Sequence, residues 1–206
     1  MSTFLSASAV RAQTVGSVGG AISLYAERHG VTAARVSTGA ELGLTDVAVF
    51  SPVHGWVVVR WFSYAPHLPA TLTLSSMLST VAVAADVYDG DLWRNVVVDC
   101  GEVVDRFCSD VRYFSDDLPL GGQWAGQPDV VATTFRVDVR RVRPYYEARK
   151  GRAHTDDRFS LDDPMVFIDL WARLGIRWPE TDAEPEMVLR LGEDWQDKLP
   201  FERSEF

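Results

Sequence analysis

Cysteine is scarce in this chain, two residues among 206, and that scarcity excludes a small fold stapled by disulfides. The span from Cys100 to Cys108, extended at ~3.3 Å per residue, comes to about 26 Å. A disulfide tolerates less than ~7 Å between Cα atoms, so two free thiols are expected. Neither cysteine has the spacing of a zinc-ligand pair. Long apolar runs are missing too. The stretch 53–68 is interrupted by His54, Arg60, Pro66 and His67, short of the ~20 apolar residues a membrane span requires. The opening MSTFLSASAVRAQ lacks the basic start and sustained apolar core of a secretory signal. A cytoplasmic protein with no membrane attachment is expected.

Positive charge is also in deficit. Lys and Arg number 20 against 29 Asp and Glu, a net charge of -9, which disfavours nucleic acid and anionic membranes as partners and suits a basic protein partner. Catalytic signatures are absent: no GxSxG, HExxH, Walker or dinucleotide fingerprint occurs. The four histidines, His29, His54, His67 and His154, are scattered through helix-end, turn and loop contexts and read as surface or capping residues. No cofactor and no catalytic residue is implied.

What the chain does hold is ordinary globular material, 47% hydrophobic and 24% charged, enough for one domain over 1–206 with one well-buried core. A β-rich part covers about 31–108, a helical part about 126–178, and an acidic tail 179–206. Residues 17–29 form a helix ended by Gly30. Strands follow at 31–37, 46–50 and 56–64, the last (WVVVRWF) apolar enough to be central. Residues 72–80 are a helix or a connection.

The most telling run is 81–108, VAVAADVYDGDLWRNVVVDCGEVVDRFC, where apolar strands are cut by Asp-Gly and Cys-Gly turns. With Asp89-Gly90 as a two-residue turn, Asp86 falls opposite Trp93 and Tyr88 opposite Asp91. One face then carries Val81, Val83, Ala85, Val87, Leu92, Val96 and Val98 as the core face, and the other presents Asp86, Tyr88, Asp91, Trp93 and Asn95. A second two-residue turn at Cys100-Gly101 brings Asp105 onto the face of Arg94 as its ionic neighbour.

Helices are expected at 128–134, at 139–148 with Asp138 as cap and Pro144 disturbing the middle, and at 164–174 capped by Asp162 or Asp163. Phe167, Ile168, Leu170, Trp171 and Leu174 make an apolar stripe, and Gly175 ends the last helix. In the tail Leu189, Leu191, Trp195, Leu199 and Phe201 read as docking side chains. The expected class is α+β: a mainly antiparallel sheet with a three-stranded meander at 81–107 and C-terminal helices packed on one face.

Three site readings compete. The acid and aromatic edge of Asp86, Tyr88, Asp91 and Trp93, joined by Trp124 from the loop LGGQWAGQP, suits protein recognition. Asp86, Asp89, Asp91 and Asp105 could instead form the carboxylate cluster of a metal-dependent enzyme, although the spacing is wrong for a helix-loop-helix calcium loop. Finally, Ala132, Arg136 and Val142 have helix-turn-helix spacing, with Arg136, Arg140, Arg141 and Arg143 as the nucleic-acid contacts. Pro144 and the acidic balance oppose that reading.

The segments VYDGDLW, VVDRFCSD with its following RYF, and FIDLWARLGIRWP resemble elements of a group of small, uncharacterised bacterial α+β proteins. The resemblance spans most of 56–179 and implies no activity, cofactor or site residue. By composition alone the chain is similar to immunity and inhibitor proteins. The sequence therefore favours a non-enzymatic protein-binding module that recognises a basic partner, ahead of a metal-dependent enzyme and a DNA-binding regulator.

Overall fold

The amino-terminal strand β1 (Leu5–Arg11) carries no strand signal of its own, because LSASAVR is built of small residues with weak β-propensity. In the computed structural model, which describes residues 4–39, 41–63, 67–112, 122–147 and 150–200, it nevertheless lies inside the sheet. Its smallness is what the position needs: Ser6, Ala7, Ser8 and Ala9 are all buried, and short side chains let helices approach the sheet closely.

Helix α1 (Val15–Arg28) follows, with the Thr14 hydroxyl accepting from the Ser17 amide at its start. Gly30 takes a positive φ of 69° at its end. Strands β2 (Ala33–Val36), β3 (Asp46–Val49) and β4 (Trp56–Trp61) come next. Helix α2 (His67–Leu78) then leads into β5 (Val81–Tyr88), β6 (Leu92–Asp99) and β7 (Glu102–Cys108). Helices α3 (Pro128–Phe135) and α4 (Phe167–Arg173), strand β8 (Met187–Leu191) and the short helix α5 (Trp195–Lys198) complete the described elements.

One open sheet of eight strands runs in the order β2-β8-β3-β4-β1-β5-β6-β7, and each neighbouring pair is antiparallel. Strand β4 alternates between two cores. Val57, Val59 and Trp61 meet α1, α2 and Trp195 on the first face, whereas Trp56 and Val58 meet α3 and α4 on the second. Helices thus cover both faces of the sheet, α1 and α2 on the first and α3 and α4 on the second. The buried side chains of α4, Phe167, Ile168, Leu170 and Trp171, pack on the second face, and Ile176 N–H donates back to the Trp171 carbonyl after Gly175. Six of the seven tryptophans are buried, Trp178 being half-buried, so most of the high tryptophan content is core.

The hairpin β5-β6 departs from the expected register by one residue. Tyr88 pairs with Leu92, Val87 with Trp93, and Asp86 with Arg94, so the loop is Asp89-Gly90-Asp91. Asp89 and Gly90 both take positive φ, 54° and 78°, and the Asp91 amide closes the turn on the Tyr88 carbonyl at 3.1 Å. Because side chains alternate along a strand, the slip moves every β6 side chain to the opposite face. The expected core face is split accordingly. Val83, Ala85 and Val87 belong to the core under α3 and α4, and Leu92, Val96 and Val98 to the core under α2. The two-residue turn at Cys100-Gly101 is present, but the register shifts between Val97 and Val98, leaving Val97 opposite Asp105. This bulge turns Asp105 away from Arg94 onto the second face.

The expected helix at 139–148 is two 3-10 turns, Val139–Arg141 and Arg143–Tyr146, the first capped by Asp138 and the second holding Pro144. Pro144 removes the amide a continuous α-helix would use. The region 164–174 likewise begins as a 3-10 turn, Pro164–Val166, with Asp163 accepting from the Met165 amide before α4 starts. In the tail Leu189, Leu191, Trp195 and Leu199 are buried, although the first two dock as members of a strand; Phe201 lies outside the described residues. Among the described residues no helix is long and apolar enough to cross a membrane.

Both cysteines are free, Cys100 exposed in its turn and Cys108 buried, and burial pushes the Cys108 thiol up to about 11. A thiol reagent at pH 8 should therefore modify Cys100 in the folded protein and reach Cys108 only in denaturant. Equal native-state modification at both positions, read by mass spectrometry, would contradict this packing.

Candidate partner-binding cleft

The register slip decides where the acidic and aromatic residues go. Asp86, expected on an exposed edge, is 4% exposed. Its carboxylate accepts from Arg94 Nε at 3.0 and 3.2 Å and is bonded to His67 Nε2 at 2.9 Å. Burial alone would raise the Asp86 pKa, but His67 and Arg94 together lower it. His67, read from sequence as a surface or capping residue, is 2% exposed and opens α2 over this pair. Arg94 is thus answered by Asp86, not by Asp105. A buried cluster of this kind holds α2 to the sheet and fixes the hairpin register.

The four expected metal ligands do not converge. Asp86 is committed to Arg94, Asp89 shapes the turn, Asp91 is exposed, and Asp105 lies on the opposite face. Among the described residues no three His, Cys, Asp or Glu side chains gather as a metal site. The helix-turn-helix reading loses its second helix to the 3-10 turns, although Ala132 and Val142 are buried as that spacing requires. Arg136 caps α3 in the left-handed region at φ 57°. Arg140 and Arg143 are paired with Asp138 and Asp129, and the Arg141 carbonyl is bonded to the His154 ring.

Trp93 and Trp124, by contrast, line one cleft, although they belong to cores on opposite faces of the sheet. Trp93 faces the second core, its ring 4.8 Å from that of Phe107, because the slip places it on the side of Val87. Trp124 comes from beyond β7 and packs with Leu92 and Cys108 in the core under α2; its carbonyl accepts from the Cys108 amide at 3.0 Å, and Ala125 bridges Phe107. This isolated bridge covers part of the outer edge of β7. One side of the Trp124 ring lies 5.3 Å from the Arg94 guanidinium carbon. Between the two tryptophans opens a cleft of about 570 Å³ lined also by Phe107, Tyr145 and Tyr146. That volume falls within the ~300–1,000 Å³ of ligand-sized clefts. Its rim carries Asp110, Glu147 and Asp162 against Arg112 and Lys150. Of the five residues first grouped as a recognition edge, Tyr88 is half-buried against Phe4, Asp91 is exposed at the hairpin tip, and only the tryptophans share the cleft.

Beneath the cleft lies a feature that pattern reading of the sequence passes over. Asp105 is 2% exposed, and its carboxylate accepts from the Gln127 amide at 2.5 Å and from the Tyr146 hydroxyl at 3.1 Å. Burial raises its pKa, and these two hydrogen bonds oppose the rise. The Gln127 amide stands at the start of α3, where the helix dipole favours an anion. Tyr146 is raised well above its ordinary value by burial and by the neighbouring Asp105 charge. The β7 bulge is the cause of this arrangement, since without it Asp105 would face α2. An extra residue in a Val-Val-Asp run has no signature that pattern alone would catch.

Compared with models of protein families, with curated proteins and with solved structures, the chain matches none of them. The cleft's chemistry therefore rests on its own residues.

Two outcomes test this geometry. Replacing Arg94 by Met strands a buried carboxylate and should cost about 3–5 kcal/mol in denaturant unfolding. The double change Asp86→Leu with Arg94→Met should recover most of that loss; a double variant as unstable as the sum of the singles would refute the pairing. The second outcome concerns pH. A carboxyl whose folded pKa is raised binds its proton more tightly when folded, so its contribution to stability is full below the unfolded value of about 3.9 and is lost as pH rises through the folded one. Wild-type protein should lose ground to Asp105→Asn between pH 4 and 7, read as a difference in Tm that grows with pH; a pH-independent difference would disprove the burial argument.

Proposed function

We propose that this chain is a non-enzymatic protein-binding module of the immunity or inhibitor kind, and that it takes a basic segment of its partner into the cleft beside β7. The observation that carries the reading is that Trp93 and Trp124, packed on opposite faces of the sheet near β7, both line one concave surface. Interfaces concentrate binding energy in aromatic side chains that fill or line well-packed pockets, with a polar rim that excludes water. The cleft has that composition. Its rim acids outnumber its rim bases, in keeping with the net charge of -9, and an excess of negative charge steers a basic partner toward the surface.

Asp91 is exposed at the hairpin tip, whereas Asp86 is buried and serves the fold. The reading keeps the protein in the cytoplasm and places it among small bacterial proteins, as the sequence resemblance suggests. A metal-dependent enzyme and a DNA-binding regulator find no comparable support in the residues described.

A photo-crosslinking residue introduced at Arg112, on the cleft rim, should capture one basic protein from the native host. The same residue at Arg35 in β2, at the other edge of the sheet, should not. Trp124→Ala should weaken the captured complex by about 2 kcal/mol or more, the scale of an interface hot spot. Equal capture from both positions, or an affinity untouched by Trp124→Ala, would refute the assignment of the cleft.

A further inference from the structure

We infer that the floor of this cleft is a receptor for a single cationic side chain, an alkyl ammonium or guanidinium, with Tyr146 and Asp105 as its recognition elements. The inference rests on the reading of the cleft as a binding site and names the chemistry of what enters it. Asp105 is buried, and among the described residues its side-chain oxygens receive only the Gln127 amide and the Tyr146 hydroxyl. Neither donor carries charge. A buried carboxylate without a basic partner is costly, and its position is explained most directly where a cation arrives from outside.

Tyr146 connects that carboxylate to the cleft. Its hydroxyl end is buried against Asp105, while its ring is the one partly exposed aromatic among the five that line the cavity; Trp93, Phe107, Trp124 and Tyr145 are buried. A phenol that donates to a carboxylate gains electron density, and the ring face becomes a better seat for a cation. Phe107 stands 4.6 Å from the Tyr146 ring and Trp93 stands 4.8 Å from Phe107, so the seat is walled by further rings. The Asn95 side chain adds a polar group to the same region. Its Oδ1 accepts from Trp171 Nε1 at 3.0 Å, and the side chain also bears on the Tyr146 hydroxyl.

Among the described residues the rim does not supply a cation to Asp105. Arg112 lies 3.9 Å from Asp110, and Lys150 acts electrostatically on Asp162, so each rim base has an acid of its own. Glu147 also lines the mouth. A cation that enters the cleft thus meets acids at the mouth, rings along the walls and a buried carboxylate behind the phenol. Gly126 shapes the approach: a Cβ there would collide with the Tyr146 ring and come within 3.0 Å of Phe107, so the glycine lets Tyr146 approach the segment beside β7 closely.

The test titrates the full chain with N-acetyl-lysine methylamide, N-acetyl-arginine methylamide and the neutral N-acetyl-norleucine methylamide, following the indole N–H resonances of Trp93 and Trp124. Both cationic probes should shift these resonances saturably and norleucine should not; the tighter of the lysine and arginine probes tells ammonium from guanidinium. Asp105→Asn and Tyr146→Phe should each weaken cation binding roughly tenfold, about 1.4 kcal/mol. Norleucine binding as tightly as lysine, or undiminished cation affinity in Tyr146→Phe, would overturn the inference. Asp105→Asn adds a second reading wherever its melting curve shows a folded protein. Cation binding without capture of a protein partner would uphold the receptor and sink the protein-binding function, and the reverse result would do the opposite.

Discussion

The length of one turn governs this structure. With three residues after Tyr88, Arg94 comes to lie beside Asp86 and Trp93 passes to the opposite face; with two, both would change sides. The buried ion pair is what makes the longer turn the only consistent choice. A slipped hairpin would bury the Asp86 carboxylate under α2 without Arg94 and drive a guanidinium into the apolar packing of α3 and α4, a cost of several kcal/mol for each stranded charge. His67 at the head of α2 extends the constraint from the hairpin to the helix above it. Register, helix placement and the position of Trp93 in the cleft wall follow from that one contact.

A second constraint acts through small residues. Ser8 on β1 receives the Trp61 indole N–H at 2.9 Å and shares a hydrogen bond of 2.6 Å with Thr71 of α2. Ala7, Ala9, Ala48 and Ala85 occupy the other side of the same central strands. Such side chains contribute little apolar area, but they let layers of helix approach the sheet and leave room for the large rings of Trp56, Trp93 and Trp171. The tryptophans and the alanines are complementary parts of one packing solution.

Much of the strand and helix pattern was legible in the sequence because it rests on local signals: the Asp-Gly and Cys-Gly turns, Gly30 and Gly175 at helix ends, Pro128 and Pro164 at helix starts. Trp171 could be placed in the core from its helical stripe alone. The rest was hidden for identifiable reasons. Strand β1 has no branched or aromatic periodicity apart from Val10, since it is selected for smallness. A three-residue turn and a two-residue turn share the same Asp-Gly letters, and only the burial of Arg94 against Asp86 distinguishes them. The bulge before Asp105 hides the acid behind Tyr146, while Trp124 could be singled out from its glycine-rich loop.

Strand β8 has a consequence for how the chain reaches this state. It lies between β2 and β3, which precede it by well over a hundred positions, and Arg190 on it clamps Asp46 of β3 in a two-pronged ion pair at 2.8 and 2.9 Å. Strands β1, β4, β5, β6 and β7 can zip together from hairpins and near neighbours as soon as they exist. Strand β2 cannot, because its partner is β8 and nothing made earlier offers it a ladder. One flank of the sheet is therefore assembled last, by closure of a very long loop, and until then the open edge of β3 is an unpaired template of the kind that aggregates. Emergence from the ribosome is the period in which this protein most needs protection, and the late arrival of a five-residue segment ends it.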